Sequence, residues 1–279
     1  MNAFELTAMV GAGSLAAGFL GSLTGLGGGV IIVPLLTLAL GVDIRYAIGA
    51  SLVSVIATSS GAAAAYVREG YSNIRVGMFL EIATTIGALL GAFLASLLST
   101  SAIAVIFGIA LLHSAYLSLR KQDEEQPLNR PPDRIAAWLH LDSSYPSAAG
   151  LQPYHVRHVP AGFGLMGLAG ILSGLLGIGS GAVKVIAMDQ AMGLPFKVST
   201  TTSNFMIGVT AAASAGVYLS RGYVDPGLAM PVMLGVLAGA FLGARVLADA
   251  KVSVLRLVFG LVILAMAVQM IYNGATGKI

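Results

Sequence analysis

Residues Ser22 to Pro34 read SLTGLGGGVIIVP, four glycines and one proline inside an apolar run. Both residue types oppose a helix interior, glycine through backbone entropy and proline through its missing N–H. The neighbouring residues nevertheless have the makeup of a bilayer-crossing helix. The same contradiction returns downstream as LSGLLGIGSGAVKV, Leu172 to Val185. How these two stretches are read decides the fold.

The composition fixes the solvent. Hydrophobic residues make up 57% and charged residues 10% of the 279 positions, and the mean hydropathy is +0.88. Ordinary soluble domains carry roughly 25% charged residues. A hydrocarbon core about 30 Å thick takes about 20 apolar residues in helical form, and the chain supplies such runs nearly end to end. This predicts an all-α polytopic membrane protein whose first partner is the lipid bilayer. The absence of cysteine removes disulfides, thiol chemistry and cysteine-zinc centres. The net charge is +3, but the basic residues are scattered between apolar runs, where they set topology rather than bind nucleic acid. The opening MNAFELTAMVGAG carries Glu5 and no Lys or Arg, so it reads as the start of a membrane helix and not as a cleaved signal peptide.

Sliding the chain against itself finds one gapless register, an offset of 152 (177 − 25). It lays Gly25–Gly29 on Gly177–Gly181, Ser51 on Ser203, Thr58 on Thr210, Tyr66 on Tyr218, and Gly70-Tyr71 on Gly222-Tyr223. GALLGA from Gly87 falls on GAFLGA from Gly239. One register held over about a hundred residues predicts two homologous membrane repeats, 3–120 and 158–274, joined by a polar connector, 121–157.

Each repeat divides into four apolar segments. The first, Ala3 to Leu40 in one repeat and Val159 to Leu194 in the other, is too long for one straight span. The glycines mark the break: a full crossing helix, an irregular turn, then a half-length helix dipping into the membrane. Unwound backbone inside a bilayer is tolerated only where protein, cavity water or a ligand satisfies its polar groups. Glycine permits close approach, and the amides that open the next half-helix carry the positive dipole end. Paired breaks in two repeats point to a transporter's central site, an anion site in particular. The competing reading is close helix packing by small residues. The duplication favours the site.

These residues resemble the TauE/SafE family, the sulfite exporter or TSUP group. The resemblance rests on GLGGG followed by an apolar stretch and Pro34, on its second copy LSGLLGIGSGAVKV, and on TSNFMIGVTAA and RGYVDP downstream. It covers both repeats. It implies a secondary transporter of the bacterial or archaeal inner membrane that moves small sulfur-containing anions such as sulfite or sulfonates, most often outward. Import of the same anions and a passive anion channel stay open as alternatives. The second copy has Ile186 for Pro34 and Ser180 for Gly28, so the two half-sites are not equivalent.

The candidate substrate-binding residues are Gly25, Gly27, Gly28, Gly29 and Ser51 in the first repeat, and Gly177, Gly179, Ser180, Gly181, Lys184, Ser203 and Asn204 in the second. Lys184 stands one turn into the second half-helix, where the first repeat has Ile32. It is either a fixed positive charge facing the anion or a snorkelling lysine. Glu81 is the proton-coupling candidate, with an interfacial residue near Arg75 as the other reading. Ser51 and Ser203 are either ligands or satisfiers of helix backbone, while the Asn204 amide wants several partners.

Other chemistries lack their parts. Neither glycine motif has the Lys-Ser/Thr of a P-loop, and no βαβ unit supports a dinucleotide fold. A Ser180–Lys184 pair keeps an intramembrane hydrolase formally open. His113, His140, His155 and His158 lie near segment ends or in the connector. No catalytic residues, metal or cofactor are expected, and homo-oligomer formation is left open. If each half crosses four times the halves are parallel, with the connector on the more basic, cytoplasmic side. If the half-helix counts as a further crossing they are inverted. RIAAWLHL, Arg134 to Leu141, either lies on the headgroups with Trp138 as anchor or packs on the helices.

Overall fold

The computed structural model describes residues 3–24, 28–68, 70–119, 133–147, 150–247 and 252–279. The first half contains α1 (Ala3–Thr24), α2 (Gly29–Pro34) running on into a π-helical turn (Leu35–Ala39), α3 (Ile44–Arg68), α4 (Ile74–Leu97) and α5 (Thr100–Leu119). The connector contributes α6 (Arg134–Trp138), β1 (Ser143–Ser147) and β2 (Gly150–Tyr154). The second half contains α7 (Val159–Leu176), α8 (Gly181–Ile186) with its π turn (Ala187–Ala191), α9 (Phe196–Ser220), α10 (Pro226–Leu247) and α11 (Val252–Ala275). The starts of α2 and α8, of α3 and α9, of α4 and α10 and of α5 and α11 all lie 152 residues apart (181 − 29, 196 − 44, 226 − 74, 252 − 100). Pro34 alone does not cause the first π turn, since the second forms at the same position after Ile186.

The helix α4 illustrates why these segments fold as they do in lipid. Met78, Ile82, Ile86, Leu90, Phe93 and Leu97 form an exposed apolar stripe at helical spacing. Its opposite face buries Gly77, Glu81, Thr84, Gly87, Ala88 and Gly91. Lipid is as apolar as leucine, so the large residues face outward and small ones make the helix contacts. A Cβ on Gly87 would strike the Gly167 carbonyl, and one on Gly170 the Thr84 carbonyl, which is how α4 and α7 approach. Likewise Gly235 faces Gly11 and Gly239 faces Leu15, pairing α10 with α1.

The long first segment of each half folds back on itself. Gly28 lies against Gly18, and Gly13 against Leu35, so α2 and its π turn retrace α1. In the second half Ser180 Oγ donates to the Ala169 carbonyl, while Arg157 N donates to the Met192 carbonyl at 2.9 Å, which brings the end of the second π turn back to the start of α7. Six plus five residues make each return arm about 16 Å long, half a hydrocarbon core.

The helices α3 and α9 are antiparallel. At one end the Arg45 guanidinium stacks 5.7 Å from the Tyr223 ring centre, and at the other Asn73 N donates to Thr202 Oγ1 at 3.0 Å. Ser101 Oγ donates to the Ile279 carbonyl, so α5 and α11 are antiparallel as well. These two pairs of helices, each 152 residues apart in their starts, therefore run in opposite directions. In each half the second arm of the long first segment folds back along the first, and among the described residues α4, α7 and α10 contain stretches long and apolar enough to cross a membrane.

The connector adds an antiparallel β-hairpin to the expected all-helical fold, with Ser143 opposite Tyr154. It docks on the membrane helices through Asn73, which caps α4 by accepting from Val76 N and donates to the Tyr154 hydroxyl at 2.8 Å. Burial pushes the Tyr154 phenol above its ordinary pKa, keeping it neutral in this contact. Trp138 is 77% exposed at the end of α6. As the chain's single tryptophan it reports directly on its surroundings. In reconstituted protein its fluorescence is expected to be quenched by brominated phospholipid, as for a headgroup anchor; unquenched emission would assign it to water or protein contact.

Candidate substrate site

The second hairpin turns over Gly177–Ser180. Gly177 and Gly179 have φ of +67° and +69°, and Ser180 follows at +43°. These left-handed conformations cost an L-residue with a Cβ about 1–2 kcal/mol each, and glycine nothing. No side chain caps α8, because the Ser180 hydroxyl is committed to Ala169.

The two breaks meet at the centre of the molecule. Ser51, on α3, donates to the Gly177 carbonyl at 2.8 Å, with the Gly29 carbonyl at 3.5 Å. A Cβ on Gly29 would lie 2.8 Å from Ser51 Oγ and 3.2 Å from the Gly177 oxygen. Ser203, on α9, donates to the Gly181 carbonyl at 3.3 Å. The structure thus brings Gly29, Ser51, Gly177, Gly181 and Ser203 together. Gly179 and Gly181 both pack on Ile207, and Gly28 faces Val236 instead. The side chain of the half-buried Asn204 makes no hydrogen bond among the described residues. Gly25 and Gly27 lie outside the described residues. Each serine has one hydroxyl proton, and in both cases a backbone carbonyl takes it. As they stand, these hydroxyls satisfy the broken helices rather than offer donors to an anion.

The ionisable groups form a separate chain just beside the turn. Lys184 is 0% exposed, and its Nζ donates to Thr210 Oγ1 at 2.6 Å. The single Thr210 hydroxyl proton has two acceptors, Glu81 Oε1 at 2.7 Å and the Met206 carbonyl at 2.9 Å, and Thr85 donates to the same Glu81 oxygen at 3.2 Å. Glu81 is not paired with Arg75, whose guanidinium donates to the His140 carbonyl. Lys184 and Glu81 do not touch directly, since the one ion pair among the described residues joins His155 and Asp142. Both ends keep unused capacity. An ammonium has three donors and this one spends one of them, while Glu81 Oε2 is buried with no hydrogen-bond partner.

Thr210 is the residue that reading the sequence missed as part of the site. It sits two turns beyond Ser203 on the same helical face, and Thr58 is its match in the first half. The residues 152 positions from Lys184, Thr210 and Glu81 are Ile32, Thr58 and Met233. Thr58 donates only to carbonyls of its own helix. The charged relay joins Glu81 of the first half to Lys184 and Thr210 of the second, and two of its three matching positions are apolar.

Long apolar helices, two folded-back first segments and a fully buried lysine bonded to α9 define a helical membrane protein with an internal polar centre. The chain belongs to the sulfite exporter TauE/SafE family, whose model matches residues 10–270. Membership places it among membrane transporters. It is 29% identical over 267 residues to the probable membrane transporter protein YunE of Bacillus subtilis, covering 93% of this chain and 95% of the relative. It is 26% identical over 276 residues to a probable membrane transporter protein of Xylella fastidiosa, covering 98% and 97%. No solved structure matches it.

Proposed function

We propose that the protein is a secondary transporter that exports a small sulfur-containing anion, sulfite or a related oxyanion, across the inner membrane. The anion binds where the two hairpins meet, held by the amides of Gly177–Gly181, their first-half counterparts and Lys184. The observation that carries this reading is Lys184 itself. A cation sealed in a membrane protein is costly and functional by default, and this one retains free donors beside a broken helix. Glu81 carries the coupling proton on its unpartnered oxygen. The two halves are inverted repeats, a reading supported by the constant offset of their elements and by the opposed directions of α3 and α9.

The charge pattern supports a cytoplasmic connector. Helix ends and segments on the connector side carry Arg68, Arg75, Arg134, Arg157, Lys197, Arg245 and Arg256, against Arg45, Arg221 and Lys278 on the other. That excess follows the positive-inside rule.

A thermal-shift screen of the purified protein tests the substrate class. A ligand that binds only the folded state stabilises it by about 2.7 kcal/mol at a hundredfold excess over its Kd. Sulfite, sulfate, thiosulfate, taurine and sulfoacetate are compared with chloride at equal ionic strength. At least one sulfur oxyanion is expected to stabilise more than chloride, and a uniform response would remove the sulfur-anion reading.

A further inference from the structure

We infer that the face opposite the connector carries a second anion site, a reception site between Arg45 and Arg221 that lies outside the central one. Arg45 opens α3 and Arg221 follows the end of α9, so the antiparallel packing of these helices brings both to one mouth. They line a single crevice with Ser96, Tyr218 and Tyr223. Arg45 stacks on Tyr223, and Arg221 lies 5.3 Å from the Phe93 ring centre. Aromatic faces hold guanidinium groups in place without neutralising them.

The crevice is positive and under-satisfied. Among the described residues no carboxylate lies within ion-pairing distance of either arginine. The nearby acids are otherwise engaged: Asp43 accepts from Arg45 backbone N, and Asp225 accepts from Gly227 N. Arg45 Nη2 donates to the Leu98 carbonyl at 2.8 Å, but its Nε is buried with no partner. Two like charges sharing a crevice, one of them with a buried donor that has no partner, call for an anion with several acceptor oxygens. Guanidinium forks suit a planar or tetrahedral oxyanion.

The location gives the site its role. Tyr218, at the crevice floor, donates to the Leu175 carbonyl at 3.3 Å, two residues before the Gly177 turn. An anion received at the mouth therefore stands directly over the hairpin tip. The crevice is closed in this conformation, with Arg45 held to the Leu98 carbonyl. The other mouth is built differently. Lys197, the counterpart of Arg45, stacks on Tyr71, but the sequence position matching Arg221 is Glu69. The doubled positive charge belongs to one face.

This inference rests on the anion-transport reading for its purpose, and direct binding separates the two. Sulfate and sulfite are titrated calorimetrically into the full-length protein in detergent, for wild type, Arg45→Gln/Arg221→Gln, Arg45→Lys/Arg221→Lys and Lys184→Met. The wild type is expected to bind with two affinities. The glutamine pair is expected to lose one of them by about tenfold or more, as for a lost charge-assisted contact, and the lysine pair to recover part of it. Lys184→Met should keep the mouth site and lose the other. Unchanged sulfate and sulfite binding in the glutamine pair, or a wild type that binds neither, overturns the mouth site. The transport reading is judged separately by sulfite flux in proteoliposomes, which can persist in either case.

Discussion

Lys184→Met is expected to weaken binding of a small oxyanion at the central site by about ten- to hundredfold and to stop transport. The physical basis is the loss of a charge-assisted contact, typically about 1.5–3 kcal/mol, at about 1.4 kcal/mol per decade. The single variant has a second effect that must be separated from the first. It leaves Glu81 buried with its cation gone, and removing one partner of a buried pair costs about 3–5 kcal/mol. A poorly folding Lys184→Met protein would say nothing about substrate. The decisive variant is therefore the double one, Glu81→Met with Lys184→Ile, which copies the residues at the matching positions, Met233 and Ile32, around a threonine that is the same in both. At the position matching 184, Ile32 is 0% exposed, so an apolar side chain is accommodated in that setting. The double variant should insert, resist heating about as well as wild type, and transport nothing. Wild-type sulfite flux from it in proteoliposomes would assign Lys184 and Glu81 to structure alone. Arginine at 184 should restore part of the binding, since charge returns while the contact to Thr210 is re-aimed.

What could be read from the sequence, and what could not, follows from the range of each signal. The break at Gly177–Ser180 was legible because backbone conformation is a local property and glycine announces it. The fold-back of α2 and α8 was not, since hydrophobic content gives a segment's length in the membrane but not its direction after a turn. That direction is fixed by distant contacts such as Gly13 with Leu35 and Arg157 with Met192. The β-hairpin was hidden by Pro146 and Pro153, one in each five-residue strand; proline argues against strands except at unpaired edges. Lys184 and Glu81 each stood out as charges in apolar runs, and were given separate roles. Their link through Thr210 needs α4, α8 and α9 to converge, and threonine at a helical position in a membrane has an ordinary explanation in backbone satisfaction.

The second large effect lies in the turn. Gly179→Leu should abolish transport while leaving an inserted protein, for two reasons that can be told apart. The residue has φ of +69°, which costs any L-side chain about 1–2 kcal/mol. Its Cβ would also lie 2.8 Å from Ile207 Cγ2, in the packed seam between the turn and α9. Gly179→Ala carries both penalties in their smallest form, and Gly179→Ala with Ile207→Val relieves only the second. If the turn must keep its left-handed backbone to present amides to the anion, the paired variant regains thermal stability but not sulfite affinity. If the glycine serves close packing alone, as small residues do between membrane helices, stability and affinity return together. Gly177 is the harsher site, because its Cβ would meet the Ile48 side chain at 2.7 Å and the backbone oxygen of the same residue at 3.1 Å. A side chain can rotate away, but the carbonyl of a spanning helix cannot without moving α3. Gly177→Ala is therefore expected to lower the unfolding temperature more than Gly179→Ala, with no second-site change at Ile48 able to restore it fully; the opposite order of stability would show that the turn is looser than its packing implies.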